Sequence, residues 1–68
     1  MQNQVFIECT VTPHIYEDNQ GRELIEEDIL QSIIRQHGKL ISCGWAPVLV
    51  DGFEMRRFSA VYLERWHD

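Results

Sequence analysis

The dipeptide Asp51-Gly52 sits between two long apolar runs, and it limits what this chain can fold into more than any other local feature. A two-residue hairpin loop of type I′ needs positive φ at both central positions, a conformation that Asp tolerates and Gly adopts freely. The spacing therefore predicts a tight turn between Val50 and Phe53, with Phe53 to Trp66 running back antiparallel to a strand over Lys39 to Val50. Gly44 and Pro47 interrupt that earlier strand and point to a bulge or an edge position, since proline has no N–H for a sheet ladder.

Upstream, Val5, Ile7, Cys9 and Val11 alternate with Phe6, Glu8, Thr10 and Thr12, the period of two of a strand with one face on a core. This strand is expected to end near His14 to Tyr16, and Glu17-Asp18-Asn19-Gln20-Gly21 supplies turn residues. Glu23-Leu24-Ile25 fits either a short returning strand or the start of a helix. From Ile25 onward, Ile29, Leu30, Ile33, Ile34 and His37 recur at spacings of three and four, the stripe of an amphipathic helix. Glu26, Glu27 and Asp28 would then occupy its first turn, Gly38 would cap its end, and His37 in the last turn would suit the helix dipole. The expected fold class is α+β: one amphipathic helix packed on a three- to four-stranded antiparallel sheet, in the order β-α-β-β with a possible extra short strand before the helix.

A chain of 68 residues, 44% of them hydrophobic, has room for one small domain and a modest core. Self-association is a natural way to add to such a core. No run approaches the roughly 20 apolar residues of a membrane span, and Met1-Gln2-Asn3-Gln4 lacks the basic and apolar regions of a signal peptide, so a soluble, cytoplasmic protein without membrane contact is expected. Cys9 and Cys43 lie in strand-like runs and read as reduced, buried small hydrophobes. Neither has a second cysteine nearby, and His14, His37 and His67 are scattered, so no metal site and no cofactor is expected.

Catalytic patterns are likewise missing. Gly21, Gly38, Gly44 and Gly52 stand apart, so no glycine-rich phosphate loop exists. The acids Glu26, Glu27 and Asp28 have no evident apolar cleft to raise a carboxyl pKa, and an enzyme is not expected. Lys and Arg total 6 against 11 Asp and Glu, a formal net charge of −5, which disfavours direct nucleic-acid binding. Arg56 and Arg57 are adjacent on a strand, so they point to opposite faces and form no basic patch.

Two features point to binding. Glu17, Asp18, Glu23, Glu26, Glu27 and Asp28 are opposed only by Arg22, so this segment holds the whole net charge; the five acids and five bases elsewhere cancel. Such a cluster steers encounter with a basic surface. The last strand is also apolar on both faces, with Phe58, Ala60, Tyr62 and Trp66 on one and Met55, Val61 and Leu63 on the other, while Phe6 opposes the apolar set of the first strand. A single helix covers one face only, and the other is left for association unless the sheet curls or a loop at Trp45-Ala46-Pro47 covers it. The face carrying Phe58, Tyr62 and Trp66, near the chain end, is the one expected to be uncovered. The sequence thus predicts a small acidic protein-binding protein, an inhibitor or adaptor with scope to form a homodimer, of a kind that would suit a virus-encoded antagonist of a host enzyme. Its expected partner-binding residues are Phe58, Tyr62, Trp66, Glu17, Asp18, Glu26, Glu27 and Asp28. The alternatives are a nucleic-acid mimic that blocks a DNA- or RNA-binding enzyme, and a small-ligand-binding domain or enzyme with a pocket lined by Cys43, Trp45 or His37.

Overall fold

The computed structural model of the chain describes residues 3–64. Strand β1 (Gln4–Val11) leads through a short helix α1 (Pro13–Glu17) into the main helix α2 (Asn19–Arg35), and strands β2 (Lys39–Val50) and β3 (Phe53–Leu63) form the closing hairpin. The three strands make one antiparallel sheet in the order β1-β3-β2, with α2 packed across it, so the expected α+β class is the observed one. At the hairpin, Asp51 and Gly52 have φ of 51° and 82°, the two positive values of a type I′ turn. Pro47 lies on β2, an edge strand as its presence predicts, and the register shifts between Leu40 and Ser42, leaving Ile41 as the extra residue of a bulge.

The helical segment begins earlier than the apolar spacing indicates. Thr12-Pro13 starts α1, with Pro13 in the first turn where its missing N–H costs nothing. Asp18 then caps α2, accepting a hydrogen bond from the Gln20 N–H at 3.3 Å. The expected turn at residues 17–21 is therefore a helix-to-helix junction, and the segment Glu23-Leu24-Ile25 is helix. Glu26, Glu27 and Asp28 lie in the second and third turns, not the first, so dipole compensation does not account for them. At the other end the Gly38 N–H donates to the Ile33 carbonyl and the His37 N–H to the Ile34 carbonyl, both at 2.9 Å, the paired bonds of a Schellman motif. The left-handed residue is His37, at φ 57°, one position before the glycine expected to cap the helix. His37 lies past the helix end and is not part of the apolar stripe.

The pairing of β1 with β3 decides where the core forms. Val5, Ile7 and Cys9 stand opposite Tyr62, Ala60 and Phe58, so the apolar face of β1 continues onto that face of β3. Helix α2 lies over this shared face, and Ile29, Ile33, Phe58, Ala60 and Tyr62 form the buried cluster, with Val5, Ile7, Cys9, Ile25, Leu30 and Trp45 packed around it. Phe58 and Tyr62 are each only 3% exposed, which overturns the expectation that their face is uncovered. Trp66 lies outside the described residues. Of the predicted helix stripe, Ile29 and Ile33 are buried, whereas Ile34 is 62% exposed on the flank of the helix. Both cysteines are free thiols; Cys9 is half-buried against the core cluster, whereas Cys43 is exposed, which corrects its reading as a buried core residue.

Candidate functional site

The helix layer and the sheet meet at a ring stack rooted in the core. Tyr16 meets Trp45 edge-on with centroids 5.1 Å apart, and Trp45 lies 5.1 Å from Phe58. The indole Nε1–H of Trp45 donates to Glu26 Oε2 at 2.9 Å. Glu26 is thereby turned inward as a tie between α2 and β2, unlike the other acids of its segment. The guanidinium groups of Arg22 and Arg56 lie 5.6 and 5.5 Å from the Tyr16 ring, and Arg22 also donates to the Tyr16 carbonyl at 3.0 Å. Trp45, Ala46 and Pro47 are residues of β2 and do not form a covering loop.

Two surfaces of different chemistry result. The first is the outer side of the helices, where Glu17, Asp18, Glu23, Glu27 and Asp28 are exposed. In their midst Leu24 is 66% exposed. It lines an open groove of about 280 Å³ with Glu27, Asp28, Gln31 and Arg35. Leu24 and Ile34 are the residues that sequence reading misses here: Leu24 fits strand and helix alike, and Ile34 fits the spacing of the core stripe.

The second surface is the sheet face opposite the helix. Alternation and register put Phe6, Val61 and Leu63 together at one end, and Val48, Phe53 and Met55 together at the hairpin end. Phe6 and Phe53 are both 72% exposed. Between these apolar ends lie Glu8, Thr10, Arg57 and Ser59. Arg57 Nε donates to Thr10 Oγ1 at 3.0 Å and stands 3.9 Å from Glu8 Oε2. Arg56 points the other way, to Tyr16 and Glu54, so the two arginines are on opposite faces as their adjacency requires. No element among the described residues covers this face. Antiparallel sheets with one solvated side usually alternate apolar and polar residues cleanly, and this one does not.

A second shallow groove, of about 200 Å³, is lined by Pro47, Val48, Leu49 and Glu54 near the hairpin tip. Neither groove includes Cys43, Trp45 or His37, the residues on which the small-ligand alternative depends. Among the described residues no three His, Cys, Asp or Glu side chains converge as metal ligands, and no helix is long and apolar enough to cross a membrane. Comparison with known proteins finds no family model that matches this chain, and no curated protein or solved structure similar to it.

Proposed function

We propose that the protein acts by binding another protein through the outer face of α2, as an inhibitor or adaptor of a target with a basic surface. The observation that carries this reading is the exposure of Leu24 among Glu23, Glu27 and Asp28. A helix side with an apolar anchor flanked by the carboxylates of Glu23, Glu27 and Asp28 suits a partner that offers an apolar pocket beside basic groups. Burying the leucine supplies about 1.5 to 3 kcal/mol, and the carboxylates raise the encounter rate. Glu17 and Asp18, exposed at the junction of the two helices, extend the same acidic field.

The test compares capture of the target from the native source by the wild-type chain, by Leu24→Lys and by the double variant Glu27→Lys, Asp28→Lys. All three positions are exposed, so the fold survives. Capture is expected from the wild type and lost from both variants, with a salt-sensitive association rate. A target held equally by all three proteins removes this face from consideration. Competition by nucleic acid for the same target identifies the mimic reading instead.

A further inference from the structure

We infer that the open sheet face is occupied by a second copy of this chain, packed sheet on sheet in a two-fold dimer with four layers, helix-sheet-sheet-helix. This goes beyond the proposed target-binding reading and uses the opposite side of the molecule.

Charge selects the occupant. The chain carries −5, yet the open face carries Glu8, Arg57 and Lys39, a net +1, with Glu8 and Arg57 paired at 3.9 Å. A basic partner gains nothing there. Two copies, by contrast, meet through nearly neutral faces and place their acidic helix layers outermost. Facing sheets pack about 10 Å apart, and each helix adds roughly its own diameter of about 10 Å beyond its sheet. The two acidic layers are then separated by more than the Debye length of about 8 Å at physiological salt.

The pattern on the face is also self-complementary. Apolar groups lie at both ends, Phe6 with Val61 and Leu63 at one, where Lys39 stands on the β2 edge beside Leu63, and Phe53 with Val48 and Met55 at the other, around a polar middle. A two-fold axis in the plane of the interface, perpendicular to the strands, lays the Phe53 end of one copy over the Phe6 end of the other. It sets Arg57 near Ser59 of the second copy. An axis along the strands sets Arg57 over Arg57, which like-charge repulsion opposes.

Size and shape agree. Eleven residues of β3 at about 3.3 Å each, across three strands about 5 Å apart, give a footprint of about 500 Å² per copy, and the pair reaches the roughly 1,000 Å² at which specific interfaces begin. The radius of gyration is 13.4 Å, where a compact domain of this length has about 11 Å, so the isolated subunit leaves more surface open than its size requires.

Sedimentation equilibrium of the full chain tests this without any target protein. The wild type is expected at twice the chain mass of 8.1 kDa, and Phe6→Glu and Phe53→Lys, each at a highly exposed ring, are expected at the monomer mass with cooperative thermal melting retained. The axis that sets position 57 against 59 also sets 53 against 63, so a chain carrying Phe53→Lys and Leu63→Glu places a carboxylate of each copy against an ammonium group of the other and is expected to recover the dimer at low salt. A wild type that stays monomeric at every accessible concentration overturns the inference, as does a dimer that survives both single substitutions. Failure of the double variant to recover association overturns the antiparallel arrangement. Leu24→Lys separates the two readings, because it is expected to abolish target capture and leave the dimer intact.

Discussion

The ring of Tyr62 lies where a side chain at residue 38 would begin: a Cβ added to Gly38 would be 2.5 Å from Tyr62 Cδ2 and 3.0 Å from Ile33 Cγ2. Tyr62 cannot swing clear, because it is buried and its hydroxyl donates to Gln36 Oε1 at 2.8 Å. Gly38→Ala is therefore expected to cost about 1 to 3 kcal/mol through overpacking. That corresponds to a fall in Tm of at least about 4 °C for a domain this small. Gly44→Ala is the control, since a Cβ there meets nothing within 4 Å and φ is not positive. It is expected to leave Tm unchanged or raise it.

Tyr62 and Phe58 separate core from interface. Either one changed to Ala is expected to lose about 3 to 5 kcal/mol, a large share of the stability available to a chain this small. Tyr62→Phe keeps the ring and drops only the bond to Gln36 Oε1, for about 1 kcal/mol. Urea denaturation checks all three. An alanine variant that melts like the wild type would show that these rings do not hold the core.

The Trp45–Glu26 bond is the polar tie between helix and edge strand. Glu26→Ala is expected to lower stability by about 0.5 to 1.5 kcal/mol. It should also free the indole, so fluorescence emission in a Trp66→Phe background should shift to the red. An unchanged spectrum and an unchanged urea midpoint together would mean that the bond contributes nothing.

Gly52 is held at φ 82° with open space around it, so the cost of a side chain there is conformational and not steric crowding. Gly52→Ala is expected to cost about 1 kcal/mol. Most of it should appear as slower folding if the hairpin forms early, which stopped-flow refolding reads directly.

The two thiols should differ in reactivity, since Cys43 is exposed on β2 and Cys9 is half-buried under α2. Alkylation of the native protein followed by mass spectrometry is expected to label Cys43 first. Equal rates at the two positions would mean that β1 and α2 separate readily in solution.

Local chemistry in the sequence determines much of this protein. The Asp51-Gly52 turn, the alternation of Val5 to Val11 and the Ile29–Ile33 spacing each follow from steric or periodic rules that act within a few residues, and together they specify the α+β class and the hairpin. Even the early helix start is written in Thr12-Pro13 and in Asp18, but capping residues also serve turns, and residues 19–24 carry no apolar stripe because most of that segment faces outward. Only the tertiary structure decided which face of β3 is core. Both faces of that strand are apolar, so alternation groups Phe58 with Tyr62 and Met55 with Val61 without saying which group the helix covers. The choice is made by register with β1: Val5, Ile7 and Cys9 stand beside Tyr62, Ala60 and Phe58, and α2 removes the most apolar surface from water by covering the face that the two strands share.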